Sequence, residues 1–179
     1  PVVFCGLSMG GYIGWQFWRK YGAHLTALVA CDTRAIADTP AAADMRREMA
    51  KRVLAEGTAV AADAMLPKLL APATHSGNPA LVERLRTMIL SNPPAGIAAA
   101  QHGMAQRPDV TEWLPSIQLP ALIVVGQHDA IATVDEMRGI AGSMPRAELS
   151  VIAGAGHLPP VEAPAEFNRA LGAFLARLP

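Results

Sequence analysis

The sequence predicts an α/β fold, a mostly parallel sheet flanked by helices, on three observations. Apolar runs recur along the chain and are continuous rather than alternating with polar residues. That is the pattern of strands covered on both faces. Each strong run ends in a small or acidic residue, and most are followed by a segment with helical spacing.

The elements follow in order. Residues 1–6, PVVFCG, read as the first strand. Residues 12–21 are aromatic and apolar and read as a helix, with Gly22 as its stop. Residues 25–32, LTALVACD, give the second strand. Residues 34–119 carry no strand signal but repeated helix starts at Thr39-Pro40, Thr58, Asn78-Pro79 and Asn92-Pro93. Three to five short helices are expected there, forming a cap over one end of the sheet. Residues 121–129, ALIVVGQHD, give the third strand, and Thr133 with Glu136 forms a capping box for the next helix. A weaker run at 148–154, ELSVIAG, is the fourth strand. In residues 164–178, Phe167, Leu171, Phe174, Leu175 and Leu178 recur at helical spacing, so this helix packs one face on the sheet.

Composition narrows the function classes. The 179 residues are 51% hydrophobic and 17% charged, enough for a single domain with a substantial core. The formal net charge is +0. Arg46, Arg47, Lys51 and Arg52 alternate with Asp44, Glu48 and Glu56, which reads as a solvated helix face rather than a nucleic-acid or membrane patch. The expected partner is a small molecule. Cys5 and Cys31, the two cysteines, read as buried reduced thiols and build neither a disulfide framework nor a metal cluster. No metal is expected, no run reaches transmembrane length, and a cytoplasmic location is expected.

The chemistry starts at GLSMG. Gly6, Ser8 and Gly10 form G-x-S-x-G where a strand meets a helix, the turn that holds a nucleophile in a strained backbone above a sheet edge. Side chains at both glycine positions are expected to collide, and Gly11 to let the helix approach the sheet. The backbone N–H of Met9 would then point from a helix N-terminus toward a developing oxyanion.

A serine hydroxyl needs a base, and the base an orienting acid. His24 precedes the second strand, His75 and His102 lie in the helical stretch, and His128 faces away from a strand end. His157, in the Gly-rich loop IAGAGHLPP after the fourth strand, is the expected base. Asp129 at the tip of the third strand is the expected acid, about one strand–helix–strand unit before it. Asp32, at the tip of the second strand, is its rival. All three chosen residues fall outside the carboxyl ends of strands, where open α/β sheets bind ligands.

In GLSMGGY, LPALIVVGQHDAI and IAGAGHLPPVEAPAEFNRAL the chain resembles the α/β-hydrolase fold family, in particular its capped carboxylesterase and 3-oxoadipate enol-lactonase-like branch. The resemblance implies a Ser8–Asp129–His157 triad, no metal or organic cofactor, and hydrolysis of a small ester or lactone. It also implies about four strands before the elbow and a loop supplying a second oxyanion donor. None precedes Pro1 here, so a longer hydrolase is expected, of which this is the C-terminal part of the sheet. A non-catalytic module remains the alternative. Within the enzymes, carbon–carbon bond hydrolysis and cofactor-free perhydrolysis stay open. Trp15, Trp113 and the methionines Met45, Met49, Met65, Met88 and Met104 read as core filling rather than a pocket.

Overall fold

A computed structural model describes residues 1–178. Pro179, the last residue of the expected domain span, lies outside the described residues. Four parallel strands stand side by side in chain order: β1 (Val2–Leu7), β2 (Leu25–Cys31), β3 (Ala121–Gly126) and β4 (Ala147–Ile152). Helix α1 (Met9–Tyr21) connects β1 to β2, and α7 (Val134–Ser143) connects β3 to β4. Parallel pairing requires such crossovers, because the chain must return to the same end before each strand starts. Between β2 and β3 the described residues hold α2 (Pro40–Glu56), α3 (Ala59–Leu69), α4 (Pro72–Gly77), α5 (Pro79–Leu90) and α6 (Pro94–Ala105), and no strand. After β4 come the single turn α8 (Pro159–Glu162) and then α9 (Pro164–Leu175).

Two apolar layers cover the sheet. Leu28, Ala30, Ile123 and Val125 face Trp15 of α1 and Met137 and Ile140 of α7. Val29, Cys31, Leu122 and Val124 face the other way, toward Phe167 and Phe174 of α9. Neighbours along β2 and β3 therefore belong to opposite layers, and this is why those strands read as unbroken apolar runs. The edge strands depart from the expected cover on both faces. Val2, Val3 and Cys5 of β1 and Val151 of β4 are exposed, because a terminal strand has a neighbour on one side only. Cys5 thus corrects the expectation of two buried thiols. Cys31 is buried, and its side-chain hydrogen bond lowers the Cys5 thiol to about 7.

Helix starts obey local chemistry in part. Thr39 and Asn78 accept the N–H groups of Ala42 and Leu81 at 3.2 and 3.1 Å, and Thr133 and Glu136 complete a capping box. Two expected caps fail. The Thr58 hydroxyl donates instead to the Leu90 carbonyl, and Asn92 turns back to donate to Met88 while α6 begins at Pro94. Both side chains find a better acceptor in the end of α5. On α9, Leu175 points out at 41% exposure, off the face that Phe167 and Phe174 bury. The charged face of α2 pairs along the helix (Arg47 with Asp44, Lys51 with Glu48, Arg52 with Glu56), but Arg46 turns inward to bond Asp38 at 2.5 Å.

Candidate active site

Ser8 is the hinge between β1 and α1. Its φ is 53° and its ψ −113°, a region an L-residue enters only when its surroundings hold it there. The neighbouring strand end supplies the hold. Ser8 N–H donates to the Cys31 carbonyl at 2.8 Å, and the Thr33 hydroxyl donates to the Ser8 carbonyl at 2.8 Å. Strand pairing and one side-chain hydroxyl together fix the elbow from both sides of the peptide. Thr33 is fully buried in doing so and was not singled out by the sequence.

The glycines divide the work differently from the expectation. A Cβ on Gly6 would overlap the Gly10 carbonyl, and one on Gly11 would overlap the Thr33 side chain. One on Gly10 would meet nothing within 4 Å, which corrects the expected collision there. What Gly6 accommodates is the backbone of Gly10, not its missing side chain. Gly6→Ala is therefore expected to destabilise by about 2–4 kcal/mol or prevent folding. Gly10→Ala is expected to be neutral or stabilising by about 0.5–1 kcal/mol, since alanine is the better helix former. Chemical denaturation of the two variants checks this, and equal losses would refute the geometry.

His157 lies in the loop between β4 and α8, and its ring is sunk to 2% exposure. Nε2 stands 2.9 Å from Ser8 Oγ and Nδ1 2.8 Å from Asp129 Oδ2. The loop is clamped. Glu162 accepts the N–H groups of Gly156 and Leu158 at 2.8 and 3.3 Å, and that of Ala71 at 2.8 Å. His157 N–H donates to the Leu69 carbonyl at 3.1 Å. The carboxylate and the His157 N–H thus tie the histidine loop to the junction of α3 and α4. Sequence reasoning missed Glu162, whose only signal was its place four residues after the loop in a proline-framed turn.

Asp129 follows β3 in a tight turn. Its Oδ1 accepts the N–H groups of Ile131 and Ala132 at 2.7 and 3.1 Å, leaving Oδ2 for the imidazole. Asp32, the rival acid, reaches the same place but does not bond the ring. Its Oδ1 accepts Gly126 N–H at 2.8 Å. One side-chain N or O atom from each of Asp32, Asp129 and His157 lies within 4.8 Å of the other two. Both ring nitrogens of His157 already face protein partners, so this cluster offers a cation no free imidazole. His24, His75, His102 and His128 are exposed and outside the site. Met9 begins α1, so its N–H is among the helix's N-terminal donors without an intrahelical acceptor.

A cleft of about 360 Å³ opens beside α1, lined by Met9, Tyr12, Ile13, Arg34 and Met104 among others. Of the methionines expected in the core, Met104 instead borders this cleft, and Met45 and Met88 are exposed. Trp15 is buried in the core as expected, its Nε1 donating to the Arg34 carbonyl at 3.1 Å.

Residues 1–164 match the alpha/beta hydrolase fold family, and the chain belongs to it. Among solved structures it is similar to a thermophilic esterase from Thermogutta terrifontis. The identity is 45% and the TM-score 0.96, covering 98% of this chain and 65% of that one. It is also similar to the enol-lactonase from Burkholderia xenovorans LB400, at 26% identity and TM-score 0.87, covering 97% of this chain and 65% of that one. Among curated proteins, 3-oxoadipate enol-lactonase 2 of Acinetobacter baylyi is 25% identical over 98% of this chain and 64% of its own length. The chain therefore spans just under two thirds of the relatives it matches. No helix among the described residues is long and apolar enough to cross a membrane.

Proposed function

We propose that this chain carries the catalytic triad of a serine hydrolase acting on a small carboxylic ester or lactone. The observation that carries the reading is the unbroken relay Ser8 Oγ–His157 Nε2 and His157 Nδ1–Asp129 Oδ2, at 2.9 and 2.8 Å. The relatives named esterase and enol-lactonase support the substrate class.

Each role follows from position. Ser8 Oγ attacks the carbonyl carbon as its proton passes to His157 Nε2, leaving a tetrahedral oxyanion. Asp129, ionised and fixed by two backbone N–H groups, keeps the Nδ1 proton on the imidazole and balances the charge that the ring gains. The Met9 N–H and the dipole of α1 stabilise the oxyanion. The intermediate collapses to an acyl-serine as Nε2–H protonates the departing alkoxide. A water, deprotonated by the same nitrogen, then releases the acid and restores Ser8. No step calls for a cofactor. Helices α2 to α6 form a cap, and Leu69 and Ala71 at the junction of α3 and α4 couple it to the histidine loop.

The test is a panel of p-nitrophenyl esters and lactones of graded chain length on the full-length protein. Turnover with an initial burst of p-nitrophenol, one per protein, is expected for the preferred ester. A folded protein that turns over none of them would overturn the reading.

A further inference from the structure

Asp32 stands beside the relay without bonding the imidazole, and its surroundings are unusual. It is fully buried, follows β2 at φ 46°, and is anchored by its own N–H to the Val124 carbonyl at 2.9 Å. One carboxyl oxygen accepts Gly126 N–H, whereas Oδ2 is buried with no donor partner among the described residues. The ionisable groups facing it are Asp129 after β3, Glu162 of α8 and Cys31 of β2, with His157 in the same cluster. None is a fixed cation. Asp129 has two backbone N–H donors on Oδ1 and His157 Nδ1 at Oδ2, so it is the member of the pair equipped to be an anion. A second carboxylate against it would bury an unpaired charge beside a like charge.

We propose that Asp32 is a neutral carboxylic acid whose Oδ2–H donates to the Asp129 carboxylate, making it a positioning residue for the Asp129–His157 pair. The proton supplies what the orphaned oxygen lacks, and turns a repulsive contact into a hydrogen bond of the strong, charge-assisted kind. Burial, with the neighbouring Asp129 charge adding to it, pushes the Asp32 carboxyl up to about 9, in the same direction. Asp129 then receives donors from Ile131, Ala132, Asp32 and His157 at once, and cannot turn away from the imidazole. The site keeps one negative charge beside His157, not two, so the imidazolium is not held so tightly that it fails to return its proton to the leaving group.

The kinetic part rests on the serine-hydrolase reading, but the protonation state does not, and the test separates them. Infrared difference spectra of the full-length wild type minus Asp32→Asn at neutral pH should show the carbonyl stretch of a protonated carboxylic acid, whether or not the protein turns over any ester. Absence of that band would overturn the proposal. In kinetics, Asp32→Asn keeps a neutral donor toward Asp129 and an acceptor for Gly126 N–H. The acid limb of its kcat/KM profile should therefore coincide with wild type. Asp32→Leu keeps neither, and kcat should fall by about tenfold or more with KM little changed. An acid limb displaced downward by about one pH unit in Asp32→Asn would mean that a negative charge had been removed, and would refute a neutral Asp32. Should Asp32→Leu not fold, the infrared band and the Asp32→Asn profile decide between the outcomes.

Discussion

Ser8→Ala is expected to lower kcat of the full-length protein by roughly 10⁴- to 10⁶-fold, with the fold intact by circular dichroism. The size follows from what the substitution removes. In the proposed mechanism no acyl-enzyme forms without Oγ, and the remaining catalysis comes from oxyanion stabilisation and binding alone. The elbow itself is held by backbone and by Thr33, neither of which involves the Ser8 side chain, so alanine leaves it in place. His157→Ala should cost about as much, because the hydroxyl 2.9 Å away loses its only basic partner among the described residues. Groups that act as one unit are not additive, so the double variant should be no slower than either single one. Steady-state rates on the preferred ester check this. A loss of tenfold or less in Ser8→Ala would mean that the reaction does not pass through this oxygen.

Asp129→Asn is expected to lower kcat by about 10⁴-fold while leaving stability close to wild type. The orientation of the new amide is set by what already surrounds the carboxylate. Ile131 and Ala132 both donate to Oδ1, so the asparagine oxygen takes that position and its NH₂ group faces His157 Nδ1. An NH₂ facing Nδ1 favours the tautomer with its proton on Nε2, which then cannot accept the Ser8 proton. The change also removes the charge that balances the imidazolium. A fall in kcat of less than about tenfold would show that Asp129 is not the group orienting the ring.

What made this site legible is that its parts sit at strand ends. Apolar runs closing in Gly6-Leu7-Ser8, in Asp32 and in Asp129 mark carboxyl ends of parallel strands, and parallel order puts those ends on one rim. Signals confined to a few residues survived as well, such as the Thr133–Glu136 capping box and the spacing of Phe167 and Phe174. Long-range features were not visible. Glu162 clamps the N–H of Ala71, 91 positions away, and Thr33 holds Ser8 across 25. No periodicity encodes either contact. The same limit explains the misplaced caps, since Thr58 and Asn92 bond the end of α5 rather than their own helices. It explains the glycine error too, because only the folded chain shows that Gly6 abuts the Gly10 backbone while the space beyond Gly10 is open. Asp32 was read as an alternative to Asp129, whereas the structure places it beside Asp129 with its own anchor.

The most direct measurement is intact mass and peptide mapping of the full-length protein after exposure to a fluorophosphonate. A hydroxyl made nucleophilic by an adjacent imidazole should take one phosphonyl group, on the peptide holding Ser8, and His157→Ala should abolish it. A folded protein that gains no mass, or carries the adduct on another residue, would contradict the account.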